Sequence, residues 1–202
     1  MSYKATPLEL DFLCSTFKSH DFPPDVGQEI ALCGRSNSGK SSLINSLTNQ
    51  SKLAKTSNTP GRTQSINFFQ FSKDPSKKIV DLPGYGYAKA SKSDQNAWAK
   101  LILEYLQKRE SLLNLILIMD IRHPFQKKDY EFLNLCSTLN LPISLVLTKA
   151  DKQSNAKIKK TLDSIKQDLD ANSQINDVNV CSATKRIGVD ELNKKIHLIL
   201  DL

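Results

Sequence analysis

Residues 34–41 read Gly34-Arg35-Ser36-Asn37-Ser38-Gly39-Lys40-Ser41, the pattern G-x-x-x-x-G-K-[ST], directly after the β-rich run Ile-Ala-Leu-Cys at 30–33. No other stretch constrains the fold as strongly. Such a loop works only where a strand leads in and a helix N-terminus leads out, because its backbone N–H groups must converge on an anion. The glycines let those groups turn inward around the α- and β-phosphates of a nucleotide. Lys40 is placed to reach the β- and γ-phosphates, and the Ser41 hydroxyl to ligate Mg²⁺. At average composition the pattern arises by chance in about one chain of this length in a hundred. The preceding strand lowers that further, so a glycine-rich turn with a surface lysine is the weaker reading.

Around this loop the chain alternates two kinds of segment. Short β-rich runs occupy 30–33, 66–71, 78–81, 113–120, 143–148 and 176–181. Helical spacing links Trp98, Leu101, Ile102, Tyr105 and Leu106, then Ile158, Leu162, Ile165 and Leu169, and finally Leu192, Ile196, Ile199 and Leu200. The runs at 113–120 and 143–148 are almost continuously apolar, as central parallel strands covered on both faces are. The expected fold is a three-layer α/β domain with helices on both faces of a mostly parallel six-stranded sheet. Only a short turn, Lys73 to Ser76, separates 66–71 from 78–81, which predicts a hairpin and one antiparallel edge strand. Residues 1–27, punctuated by Pro23-Pro24, read as an irregular lead-in, and 28–202 as a single domain.

Composition sets the limits. The 202 residues are 39% hydrophobic, enough for a sizeable core. The longest apolar stretch, 112–119, already contains Asn114 and is far short of the ~20 residues of a membrane helix. The N-terminus MSYKATPLEL shows no signal-peptide apolar region, and the C-terminus no prenylation cysteine. Cys14, Cys33, Cys136 and Cys181 are widely spaced, which fits buried thiols in a reducing compartment better than a zinc site or a redox pair. A cytoplasmic location is expected.

Three further motifs follow the phosphate loop in order. Asp81-Leu82-Pro83-Gly84 ends a strand, where Asp81 could hold a Mg²⁺-bound water and the Gly84 N–H could approach a γ-phosphate. Thr148-Lys149-Ala150-Asp151 closes the apolar run 143–148. There Asp151 could accept from guanine N1–H and the 2-amino group, a donor pair that adenine lacks, so an unpaired carboxylate would reject adenine. The Lys149 stem could lie along the base. Cys181-Ser182-Ala183-Thr184 follows the last strand and offers a backbone N–H to guanine O6. Taken alone, 148–151 would be read as a helix N-cap with solvated charges; the ordered set favours GTP.

These residues resemble the EngB (YihA/YsxC) family of bacterial ribosome-biogenesis GTPases, in the TRAFAC class. The resemblance is carried by GRSNSGKSSLIN (34–45), TPGRTQSINFF (59–69), DLPGYGYAK (81–89), TKAD (148–151) and CSA (181–183), with DIRHP at 120–124 in support. It implies a Ras-like GTPase domain with switch I around 59–64 and switch II at 82–93. It also implies nucleotide contacts from Gly61, Arg62, Thr63, Gln64 and Ser65, with Thr63 joining Ser41 on Mg²⁺ and Lys40 and Thr63 as the catalytic pair. Tyr85 stands directly after Gly84, where Ras-like enzymes carry a water-orienting glutamine, so hydrolysis should be slow. Asn37 resembles an asparagine that binds K⁺ in some related GTPases. Thr148 departs from the commoner asparagine. The implied role is assembly of the large ribosomal subunit on its rRNA precursor particles, with a requirement in cell division and septation; separately, a monomer is expected.

The net charge of +7 favours an acidic partner such as RNA. The lysine clusters, Lys127-Lys128 and Lys157/Lys159/Lys160 among them, are for the most part solvated faces. His123 beside Pro124 reads as structural, and Trp98 as a core or interface aromatic. Two other readings stay open: a nucleotide-gated ribosome- or RNA-binding module with incidental hydrolysis, and a phosphate-loop kinase acting on a small molecule, against which DLPG and TKAD argue.

Overall fold

A computed structural model describes residues 6–54, 65–86 and 92–202. The elements in chain order are β1 (Leu10–Thr16), β2 (Gln28–Gly34), α1 (Lys40–Thr48), β3 (Ile66–Phe71), β4 (Lys77–Asp81), α2 (Lys92–Lys108), β5 (Leu112–Asp120), α3 (Lys127–Thr138), β6 (Ile143–Thr148), α4 (Asn155–Ser164), α5 (Lys166–Asp170), β7 (Ile175–Val180) and α6 (Val189–Ile199). They form one sheet in the order β1-β3-β4-β2-β5-β6-β7. From β4 to β7 across the sheet every pairing is parallel, while β3 runs antiparallel to both of its neighbours.

The three-layer α/β fold therefore holds, with two corrections. Among the described residues the sheet has seven strands, and the antiparallel strand β3 is not at its edge. The seventh strand, β1, lies inside the expected lead-in and covers β3. Its pairing shifts between Phe12 and Cys14, so the bulge breaks the two-residue period. Phe12 and Leu13 are both exposed while Leu10 and Thr16 are buried, which erases the alternation a strand normally shows.

Two apolar layers sandwich the sheet. Leu43, Ile44 and Leu47 of α1 pack with Leu192 and Ile196 of α6 on one face. Leu101, Ile102, Tyr105 and Leu106 of α2 and Phe132, Leu133 and Cys136 of α3 cover the other. The side chain of Trp98 lies outside the described residues. The stripe from Ile158 to Leu169 is not one helix: Ile165, buried, leaves helical geometry at φ −93°, ψ 3° and separates α4 from α5. All four cysteines are free. Among the described residues no helix is long and apolar enough to cross a membrane.

Parallel strands send every following loop to the same edge of the sheet. The loops after β2, β4, β5, β6 and β7 thus converge there, and these carry the motifs read from the sequence. At the opposite edge the fully buried Glu29 accepts from Arg109 Nη2 (2.7 Å) and Nε (2.9 Å) and from Tyr105 Oη (3.0 Å). Arg109 also donates to the Pro23 and Pro24 carbonyls, so this cluster ties the lead-in to the sheet.

Candidate nucleotide site

The phosphate loop leaves β2 at Gly34, where a Cβ would stand 2.4 Å from the Ile118 carbonyl oxygen. It enters α1 through Gly39 at φ 98°, a backbone that favours glycine. Gly39 has no side chain to cap the helix, so the first N–H groups of α1 and its positive dipole end serve the loop. Lys40 opens the helix and is buried against Asp81, its ammonium paired with the Asp81 carboxylate. The parallel register Leu32↔Asp81 brings that carboxylate to the loop, and the Asn67 amide donates to its other oxygen at 3.4 Å. Ser65 in turn donates to Asn67 at 3.2 Å. Sequence reading missed Asn67, whose signal is only its register opposite Asp81 on β3.

Gly84 touches the same loop. A Cβ there would lie 3.1 Å from Ser36 Cα and N, tight enough that glycine keeps the contact open. Ser36 N–H donates to the Tyr85 carbonyl at 2.9 Å and Tyr85 N–H to the Gly34 carbonyl at 3.1 Å. The Tyr85 ring turns into the core, stacked on Phe132 at 4.9 Å, and its hydroxyl donates to Asp129 at 2.8 Å. Burial, with the neighbouring Cys33 and Asp129, pushes that hydroxyl well above its ordinary pKa. Arg35 joins the same carboxylate at 3.1 Å and donates to the His123 carbonyl at 2.5 Å. Asp129 accepts at its other oxygen from Gln126 N–H at 2.8 Å and so caps α3. This carboxylate was not singled out from the sequence.

The base-side motifs also converge. The Thr148 hydroxyl donates to the Ser38 carbonyl and lies 3.1 Å from the Met119 carbonyl. Lys149, at φ 61°, reaches back over the loop to the Asn37 carbonyl at 2.7 Å and to Asp120 at 3.0 Å. Asp120 pairs with Arg122 at 2.6 and 2.9 Å. Partial burial would raise its pKa, but the Arg122 and Lys149 contacts outweigh that and hold it well below the usual carboxylate range. Asp151 accepts from the Ser182 hydroxyl at 2.6 Å, the main reason its pKa is lowered. Ala150 N–H donates to the Cys181 carbonyl at 3.1 Å, so the 148–151 and 181–184 segments form one unit. The N-cap reading of 148–151 does not hold: Ser154 caps α4, accepting from Lys157 N–H.

Gly61, Arg62, Thr63 and Gln64 lie outside the described residues, as do 87–91 of the expected switch II. Asn45, also missed from sequence, holds the start of the first loop by bonds to the Ser51 and Ala54 carbonyls and from the Ala54 N–H. Among the described residues no group of three or more His, Cys, Asp or Glu could hold a metal by itself. Ser41 and Asp81 are the hard oxygen donors that suit a Mg²⁺ shared with phosphate oxygens.

Comparison with known proteins agrees with this geometry. The family model described as 50S ribosome-binding GTPase matches residues 29–149, and that of the elongation factor Tu GTP binding domain matches 110–201. The probable GTP-binding protein EngB of Haemophilus influenzae (strain 86-028NP) is 45% identical over 185 residues, 92% of this chain and 89% of that one. The probable GTP-binding protein EngB of Photorhabdus laumondii is 42% identical over 187 residues, covering 93% and 88%. A crystal structure of a probable GTP-binding protein engB superposes with a TM-score of 0.68 at 22% identity, over 86% of this chain and 98% of that one.

Proposed function

This chain belongs to the EngB family of GTP-binding proteins, and from that premise we propose that it is a slow GTP/GDP switch acting in assembly of the large ribosomal subunit. The observation that carries the guanine reading is the joint held by Thr148 and Lys149. Both bond to the phosphate loop while Asp151, in the same turn, is oriented by Ser182. On this reading base and phosphate recognition share one hydrogen-bonded unit. Lys40, now paired with Asp81, would transfer to the terminal phosphates, leaving Asp81 to hold a Mg²⁺-bound water beside Ser41. Thr63 would complete that set, and the ion would neutralise charge on the phosphates. Asn37 would hold K⁺.

Slow hydrolysis follows from Tyr85. Its side chain is engaged with Phe132 and Asp129 and offers no amide to orient water. The ribosomal role, with its consequence for cell division and septation in the cytoplasm, is supported by the family and by the net charge of +7. The test is co-sedimentation with ribosomal subunits in GDP and in a non-hydrolysable GTP analogue, joined to gradient analysis after depletion of the protein. Nucleotide-dependent binding to the large subunit and accumulation of immature large subunits are expected. A normal gradient profile without GTP-dependent binding would remove the ribosomal role and leave the GTPase.

A further inference from the structure

Thr148 decides which atoms of the base this site can read. The residue is buried, and its hydroxyl sits between two backbone carbonyls, donating to Ser38 and lying 3.1 Å from that of Met119. A hydroxyl carries one proton. Because both protein neighbours are acceptors, that proton is committed to the protein, and only a lone pair is left for a ligand. The imidazole ring of a purine bears the ribose and therefore lies nearest the phosphates. Within 148–151, Thr148 is the side chain bonded to the phosphate loop by its hydroxyl, while Asp151 stands a turn further on with Ser182. With Asp151 on the N1 and 2-amino side, the base acceptor facing position 148 is N7. Acceptor would meet acceptor there. The Lys149 ammonium does not fill the gap, since it is held by the Asn37 carbonyl at 2.7 Å and Asp120 at 3.0 Å.

We infer that this site reads guanine along its N1, 2-amino and O6 edge alone, leaves N7 unread, and so accepts guanine nucleotides in which carbon replaces N7. The inference rests on the guanine reading of the site. A side-chain amide at 148 has two N–H donors and could serve Ser38 and N7 together; a threonine cannot.

Equilibrium competition on the full chain against a fluorescent GDP, with GDP, 7-deaza-GDP and inosine diphosphate as competitors, tests this. In the wild type 7-deaza-GDP should bind within threefold of GDP. Inosine diphosphate, lacking the 2-amino group, should bind tenfold or more weakly, which shows that the assay registers loss of a single edge contact. Thr148→Val should weaken GDP and 7-deaza-GDP by the same factor, because the hydroxyl serves Ser38 and not the base. A wild-type penalty of fivefold or more for 7-deaza-GDP would overturn the inference while leaving guanine specificity intact; its loss in Thr148→Val would assign the N7 contact to Thr148, and its persistence to another group. Failure of GDP itself to bind, or equal binding of GDP and inosine diphosphate, would bring down the guanine reading, and the inference with it.

Discussion

The hydroxyl of Tyr85 and the carboxylate of Asp151 show how a partner fixes what a side chain can do. Tyr85 is buried and donates to Asp129, itself fully buried and shared with Arg35. Tyr85→Phe keeps the ring on Phe132 but removes one donor from that carboxylate, which should cost about 1–3 kcal/mol in urea unfolding. GTP turnover should stay within twofold, because the hydroxyl faces α3 and not the nucleotide. A tenfold loss of turnover at unchanged stability would make it a catalytic group instead. Asp151 is tuned the other way, its pKa lowered from 3.8 chiefly by the Ser182 hydroxyl. A depressed carboxylate is fully charged above its ordinary value and loses charge only as pH falls through the lowered one. The preference for GDP over inosine diphosphate should therefore be flat from about pH 8 to 5, measured in one buffer series at constant ionic strength. In that ratio the terminal phosphate common to both, protonating at about pH 6, cancels; a fall in the preference midway would point to a protonating carboxylate. Asp151→Asn should shift preference from GTP to xanthosine triphosphate, since the amide can donate to the 2-oxo group that replaces the 2-amino donor.

Among the elements, those that bear the site were the ones legible in the sequence. β2, β5 and β6 are near-continuous apolar runs whose neighbours bury both faces, and each ends on its motif residue: Gly34, Asp120 and Thr148. α3 was not read, because its apolar face, Phe132, Leu133 and Cys136, is short and its cap is Gln126, outside the usual capping set. The contacts between motifs were also hidden. Nothing in the order of residues tells that Asp129 meets Tyr85 across 44 positions. β1 was missed because its bulge puts Phe12 and Leu13 both toward solvent, yet its first residue Leu10, with Leu8 just before the strand, anchors the sheet edge by packing into the layer holding Leu47 and Phe71. Leu10→Ala should accordingly cost about 2–4 kcal/mol in chemical unfolding. β1 is separated from β2 by two strands, so GDP affinity should remain within twofold. A strong loss of GDP binding at unchanged stability would mean that the edge strand takes part in the site.

At the scale of the whole molecule the charge is not spread evenly in function, even where it is spread in sequence. The sheet sends its loops to one edge, and with them come Arg122, Lys127, Lys152, Lys157, Lys185 and Arg186, all exposed. Several carboxylates of the same region are already engaged: Asp81 by Lys40, Asp120 by Arg122 and Lys149, Asp129 by Arg35. Arg122, Lys152 and Arg186 are themselves paired with Asp120, Asp151 and Asp190. Lys127, Lys157 and Lys185 stand outside the ion pairs found among the described residues, and on the proposed reading a polyanion meeting them would sense the bound nucleotide directly. Lys127 and Lys157 lie in the first turns of α3 and α4, outside the proposed nucleotide contacts, and separate the two roles. Reversing both, Lys127→Glu with Lys157→Glu, lowers the net charge by about four units at this edge. GDP affinity should stay within about threefold, whereas co-sedimentation with large ribosomal subunits should fall at least tenfold at moderate salt. The wild type should lose binding steeply between about 50 and 200 mM salt, as counterion release requires, and the double variant should show a shallower slope. An unchanged slope together with unchanged binding would place the ribosome-facing surface elsewhere on the molecule, away from the edge at which the nucleotide is held.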